Sequence, residues 1–412
     1  FSIVQDGRWT NYNMGTDPVL AAERFTLTFK AASGPLYHYF GSWGSGIARL
    51  DRQTGQVDVF DAQTSSLRGW EALDPAFIVA SGLQTDSRGD VWSVSRYASR
   101  ALAHHREGES DWTPLDPPAG VGASDLYVTL FIDSNDRKWI PLQSATSAGR
   151  GILVLDTGAD PASSDDDRAV ILTDGSAAGN LPDPRVNAVV EDLAGELWVG
   201  TDRGIARFLF PDLIVDGGAA ERQAQWLIAE DPGGASPFLL RDITVTAMAV
   251  NGANQKWIGT PGEGIWLLNE QGSRILAHYT TQNSPLLSNS IRDLAYDSRT
   301  GELYVSTALG LIVLTDVATA GTGRMETLTA YPNPFVYDRH ERVVIDGLAD
   351  RTTVMIVAVD GARMRRLESA GGRIEWDGLD DRGRPLASGV YLILALETDG
   401  RKRGAGKLVV IR

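Results

Sequence analysis

A short turn followed by an aromatic residue occurs six times along this chain. It is clearest as Asp192-Leu193-Ala194-Gly195-Glu196-Leu197-Trp198, which runs on into Val199-Gly200-Thr201 and Gly204-Ile205. The equivalents are Gly34 to Tyr37, Asp86 to Trp92, Asp133 to Trp139, Asn251 to Trp257 and Asp297 to Tyr304, so the anchor aromatics lie 55, 47, 59, 59 and 47 residues apart. A unit of that length, rich in β-forming residues, buries its apolar faces only by stacking on copies of itself, which predicts a β-propeller.

The fourth module shows the expected anatomy. Val186 to Val190 reads as a first strand, Asp192-x-x-Gly195 as a turn, Leu197 to Val199 as the returning strand and Ile205 to Phe208 as a third. The Asp can accept backbone N–H bonds, and the Gly can take the positive φ of a bulged hairpin turn. A fourth, outer strand closes each module and carries Phe60, Trp112, Trp226 or Tyr279. Trp92, Trp139, Trp198 and Trp257 are assigned to the wedge between neighbouring sheets, where a large ring fills space.

The two ends appear complementary. Ser2-Ile3-Val4 and Asp6-Gly7-Arg8-Trp9 resemble an outer strand with no module before it, while the last module ends at Leu311 to Leu314 after its third strand. A closing N-terminal strand would leave no unpaired sheet edge. The expectation is an all-β chain with a six-bladed propeller over 1–325, or seven blades if Gly149 to Ala178 hides a further unit. In that stretch Ala159 to Arg168, with Asp160, Asp165, Asp166 and Asp167, reads as a solvated loop, and a structural calcium there is the one cofactor considered although the spacing fits no EF-hand.

From Tyr331-Pro332-Asn333-Pro334-Phe335 onward the pattern changes. Strands are expected at Val343 to Ile345, Thr353 to Val359, Arg373 to Trp376, Val390 to Leu396 and Lys407 to Ile411, with turns at Asp360-Gly361, Asp377-Gly378 and Asp399-Gly400. This predicts a small antiparallel, immunoglobulin-like β-sandwich over 331–412. Pro332 and Pro334 remove two donors and stiffen the junction.

Charge separates the two parts. Of 38 Lys and Arg and 53 Asp and Glu, residues 331–412 hold 14 and 12, which leaves 24 and 41 on residues 1–330, a charge of −17. An acidic surface argues against nucleic acid and against adsorption to anionic membranes. Tail cations gather at Arg363, Arg365 and Arg366, at Arg382 and Arg384, and at Arg401-Lys402-Arg403, either as solvated hairpin ends or as an anion patch. No apolar run is long enough to span a membrane, and the start at Phe1 reads as a processed chain or a piece of a longer one. The chain has no cysteine, so disulfides and thiolate metal sites are excluded.

Catalytic signatures are sparse. His38, His104, His105, His278 and His340 share no metal-ligand spacing, and adjacent His104 and His105 point to opposite faces of a strand. There is no Gly-x-Ser-x-Gly elbow, and Gly404-Ala405-Gly406-Lys407 fails as a phosphate loop because Leu408 stands where Ser or Thr is required. No catalytic, cofactor or metal residue is assigned.

Asp-x-x-Gly-x-Leu-Trp-Val-Gly-Thr-x-x-Gly-Ile resembles the propeller repeat of two-component regulators; Trp257-Ile258-Gly259-Thr260 with Gly264-Ile265 is nearly as good a copy. The tail resembles the C-terminal sorting domain of the type IX secretion system through Pro332-Asn333-Pro334, Trp376-Asp377-Gly378, Asp381-x-Gly383, Ser388-Gly389-Val390-Tyr391 and the ending Lys407 to Arg412. Within that resemblance Pro332, Asn333 and Pro334 fix the entry, Gly389, Val390 and Tyr391 form the core strand, and Lys407 is a candidate polar contact. Propeller followed by such a tail is similar to the PorZ-like family of type IX attachment components. That implies a non-enzymatic scaffold on the extracellular face of a Gram-negative outer membrane, with type IX attachment proteins and anionic lipopolysaccharide as partners. That family carries two propellers, whereas six modules suffice for one, so a fragment or a shorter relative is expected.

Two rivals stand beside this expectation. One is a secreted cargo protein with a cleavable tail whose propeller binds glycan or protein; its candidate ligand-facing aromatics are Trp43, Trp70 and Trp266, which fall outside the anchor register. The other is a lyase or hydrolase acting in the propeller mouth.

Overall fold

The structure, a computed structural model, describes residues 1–5, 8–122, 124–161, 163–230, 237–315, 318–321, 325, 327–397 and 403–412. Asp6 and Gly7 of the expected N-terminal outer strand, the expected Asp399-Gly400 turn and the cations Arg401 and Lys402 lie outside the described residues. The chain is all-β and divides into two compact units, Phe1–Glu191 with Gly195–Trp226, and Asp192–Ala194 with Leu227–Arg412.

The first unit carries four meander modules. The first pairs Thr28–Ser33, Tyr37–Gly44, Ile47–Asp51 and Val57–Phe60, and the second Ile78–Thr85, Val91–Ser95, Leu102–His105 and Thr113–Pro114. The third runs through Lys138–Gln143, Gly149–Asp156 and Arg168–Leu172, and the fourth through Val186–Glu191, Leu197–Thr201, Gly204–Phe208 and Gln225–Trp226. Residues 149–156 and 168–172 are thus ordinary strands of the third module and not a concealed extra one. Trp139 is fully buried against Val186, Leu197 and Phe208 of the next module, which is the wedge role expected of it.

The N-terminal strand has a local partner. Ser2–Gln5 pairs with Arg8–Asn11 in a sheet of its own. Phe1 stacks on Phe40 at 3.7 Å between ring centres, and with Tyr12 it covers Leu20, Phe25 and Leu50 of the first module.

In the second unit, module five comprises Ala247–Val250, Lys256–Gly259, Ile265–Leu268 and Ile275–Tyr279. Module six comprises Ile291–Asp297, Glu302–Thr307 and Gly310–Thr315 and has no fourth strand among the described residues. Its outer strand leaves Leu311 and Val313 exposed, 48% and 42%.

The tail is a two-sheet sandwich. One sheet pairs Thr329–Tyr331, Val343–Asp346 and Arg373–Trp376; the other, in order, Phe335–Val336, Arg403–Ile411, Gly389–Glu397, Thr352–Ala358 and Arg363–Ser369. Phe335 pairs parallel with Val410, an exception to the antiparallel expectation. Between the sheets lie Phe335, Val354, Ile356, Trp376, Ile393 and Leu408, all nearly or fully buried.

The tail is fastened to modules five and six, which is why it clusters with them instead of standing alone. The N–H of Gly252 in module five donates to Ala318 O at 3.1 Å, Gly372 N–H to Thr319 O at 2.7 Å, and Ala320 N–H to Ser298 O at 2.8 Å. A Cβ on Gly252 would collide with the Thr319 carbonyl, and one on Gly371 with the same oxygen, so only glycine permits this backbone approach.

Candidate functional site

The repeated turn is a buried hydrogen-bond device. Asp133 Oδ1 accepts from the backbone N–H of Asn135 and Arg137, both at 3.0 Å, while Oδ2 accepts from Trp139 Nε1 at 2.8 Å and Arg137 Nε at 2.7 Å. Asp86 repeats this with Arg88, Asp90 and Trp92 Nε1 at 3.0 Å, and Asn251 Oδ1 takes the N–H groups of Ala253 and Gln255. The Asp therefore caps its turn and fixes the indole at the same time.

Lysines placed directly before two of the Trp residues are buried and bonded. Lys138 Nζ lies 3.8 Å from the centre of the Trp92 ring and donates to Thr157 Oγ1 at 2.9 Å. Burial pushes this ammonium down to about 8. Lys256 Nζ donates at 2.8 Å to Oδ2 of Asp192, which groups with it in the second unit, and at 2.6 Å to Glu270 O.

Asp86, Asp90 and His104 form the one three-residue group of possible metal donors found among the described residues. The donors do not fit a cation. Asp86 is filled by two backbone N–H groups and an indole N–H, Asp90 Oδ2 lies 3.0 Å from His104 Nε2, and the Lys138 ammonium faces the Trp92 ring beside them. In the calcium candidate loop, Asp166 accepts from Ala159 N at 3.0 Å, and beside it Arg168 ties Asp156 to Asp216.

An open cavity of about 510 Å³ lies in the first unit, lined among others by Trp70, Glu71, Arg96, Tyr97, Ser99 and Ser147. In an antiparallel meander the second-to-third hairpins and the connections between modules fall at the same end, and the lining comes from those two kinds of segment. Trp70 stacks on Tyr97 at 4.2 Å and 13°, and Trp43 meets Tyr97 and Phe77 edge-on, each at 6.2 Å. Arg96 donates to Gln143 Oε1 at 3.0 Å, and Glu71 is held by the N–H and hydroxyl of Ser99, both at 2.9 Å. The result is an aromatic wall with polar groups around it, in the size range of a small-molecule site.

Two of the three aromatics expected to face ligand, Trp43 and Trp70, thus meet through Tyr97. Trp266 belongs to the second unit, where it stacks on His278 at 3.5 Å. Sequence reading did not find Tyr97 or Arg96. The signal was a break in the repeat: after Trp92 the Val-Gly-Thr of module four becomes Ser93-Val94-Ser95, and the hairpin that follows is longer.

The tail motif resolves into structural parts. Asn333 Nδ2 donates to Lys407 O at 2.9 Å and its Oδ1 accepts from Val409 N at 3.0 Å, so the amide staples the Pro332 to Pro334 entry onto the last strand. Gly378 has φ +77°, and a Cβ there would lie 2.6 Å from the Phe335 ring. Tyr391 is buried with its hydroxyl on Ala387 O at 2.9 Å, whereas Gly389, Val390 and Lys407 are exposed. Arg366 pairs with Glu368 at 2.8 Å, Arg384 with Asp380 at 3.0 Å and Arg363 with Asp381 at 3.6 Å. Those arginines neutralise their own hairpins, which favours the solvated-end reading over a bare anion patch.

Among solved structures the chain is similar to PorZ of Porphyromonas gingivalis, described as an essential bacterial surface component of the type-IX secretion system. The two share 24% identity with a TM-score of 0.74, over 100% of this chain and 55% of PorZ. This chain therefore spans about half the length of that relative. It is also similar to the β-propeller domain of Cps50 (Swd1) from Myceliophteria thermophila, at 10% identity and TM-score 0.47 over 70% of this chain and 83% of the other. A third is the extracellular domain of a hybrid two-component system from B. thetaiotaomicron, at 13% and TM-score 0.25 over 92% and 74%. No family model matches the sequence, and no curated protein does.

Proposed function

We propose that this chain is a non-catalytic binding and scaffold component of the type IX secretion system, PorZ-like in kind, which contributes to cargo attachment on the extracellular face of the outer membrane. The observation that carries this reading is the coverage: propeller-type sheets and sandwich align together, in one order, along the whole chain at TM-score 0.74. The sorting-type motifs of 331–412 support it independently. In functional terms the division is a propeller over 1–325 and a tail over 331–412, and the glycine-lined backbone contacts at 318–321 favour a tail that stays in place as a working part.

The test is the intact mass of the protein recovered from its native cells, with the fraction recorded. A mass that includes Arg412, in the outer-membrane fraction, is the expected result. A chain ending near residue 330 would mean a cleaved address label and a cargo protein.

The aromatic cavity favours a second, compatible reading in which the propeller part holds a glycan. A sugar ring stacks on an indole face through its C–H groups, and Arg96 and the serines suit its hydroxyls or an acidic substituent. Lipopolysaccharide from the same cells should change the tryptophan fluorescence of the protein, and Trp70→Ala should remove the change while the far-UV spectrum is kept. An unchanged response in Trp70→Ala would move the sugar elsewhere.

A further inference from the structure

The outer face of the five-stranded tail sheet is apolar where a sandwich normally presents polar residues to water. The inward residues of strand 389–397 are Tyr391, Ile393 and Ala395, each buried. Its outward residues are Val390, Leu392, Leu394 and Leu396, with Val390 at 46% and Leu396 at 38% exposure. Cross-strand register extends the patch on both sides. Leu394 stands beside Met355 and Ala405, Leu392 beside Val357 and Lys407, and Val390 beside Val409. None of these outward side chains belongs to the residues packed on the sandwich core.

Charged residues edge the patch. One row runs Arg363, Val357, Leu392, Lys407; the next begins at Arg366 and passes through Met355 and Leu394; the third runs from Glu368 through Thr353 and Leu396 to Arg403. Arg363 and Arg366 are paired with Asp381 and Glu368, which leaves the 403–411 strand as the cationic flank. Arg403 and Lys407 are exposed and form no ion pair among the described residues. An uncovered sheet face this apolar marks an interaction surface. The unpaired cations Arg403 and Lys407 along one flank complement an acidic rim on a partner.

We infer that this face docks a protein partner presenting an apolar surface edged by carboxylates. The apolar centre supplies the contact and Arg403 and Lys407 the orientation. The inference stands on the tail alone and holds whether or not the PorZ-like reading does.

The test places a photo-crosslinking amino acid at position 394 of the full chain in its native cells, with position 359, at a hairpin end, as control. The expected result is one crosslinked polypeptide, formed at 394 and not at 359. It counts only if that polypeptide, once purified, binds the wild-type chain. Its Kd should rise at least tenfold for Leu394→Asp and for the double variant Arg403→Glu/Lys407→Glu, both checked for unchanged melting, and it should weaken with added salt. Three results overturn the inference: crosslinks only between copies of this chain, binding of the purified chain to phosphatidylglycerol vesicles that Leu394→Asp abolishes, or no crosslink specific to 394.

Discussion

At the scale of single residues, the repeat is built from carboxylates and indoles that satisfy each other out of water, and at Lys138 this carries a cost. Its ammonium sits under the Trp92 ring with one hydroxyl partner, Thr157, and burial lowers its pKa to about 8, against roughly 10.4 for a free lysine. Across the window from about 8 to about 10.4 the unfolded chain binds a proton that the folded chain has lost, so stability from this group rises with pH there. Below pH 8 both states hold the proton and the contribution is flat. The melting temperature of the wild type, measured relative to Lys138→Met, is therefore expected to climb between pH 7.5 and 9.5. A constant difference over that range would show that the lysine is not buried as described.

At the scale of elements, most strands were legible because their apolar residues alternate or run between Asp and Gly turns, and modules four and five follow that rule almost residue for residue. Arg363–Ser369 was not legible, since an edge strand with one face in water can carry Arg363, Arg366 and Glu368 outward and show only Met364 and Leu367 of its pattern. The N-terminal strand was legible as a strand, whereas the packing of Phe1 on Phe40 and Leu50 was not, because strand counting carries no information on side-chain contacts. The candidate cavity was partly legible: Trp70, which lines it, and Trp43, which packs edge-on against Tyr97, stood out from the anchor register, whereas Tyr97 depends on a hairpin conformation that the repeat does not encode. The junction allows an element-scale prediction. Gly371→Ala places a methyl against the Thr319 and Gly252 carbonyls, a backbone clash expected to cost about 1–3 kcal/mol. Limited proteolysis should then cut between modules and tail faster than in the wild type, with the fragment ending near residue 320; an unchanged digestion pattern would argue that the clamp does not hold the tail.

At the scale of the whole molecule, charge is spread unevenly along the chain, with −17 on residues 1–330 and 14 cations against 12 anions on the tail. The full chain is expected not to sediment with phosphatidylglycerol vesicles at 0.15 M salt, since the larger part repels them; sedimentation at that salt would call for an exposed cationic face that ion pairing in the tail hairpins hides. The contact between the tail and modules five and six has one more consequence, a mechanical one. Gly252, Gly371 and Gly372 set main chain against main chain, with no long side chain between them to swing aside. A pull on the sandwich is therefore delivered straight to the first turn of module five and the strands behind it, so that the last two modules and the tail would bear load as one piece, and a partner gripping the tail would have hold of the propeller strands as well.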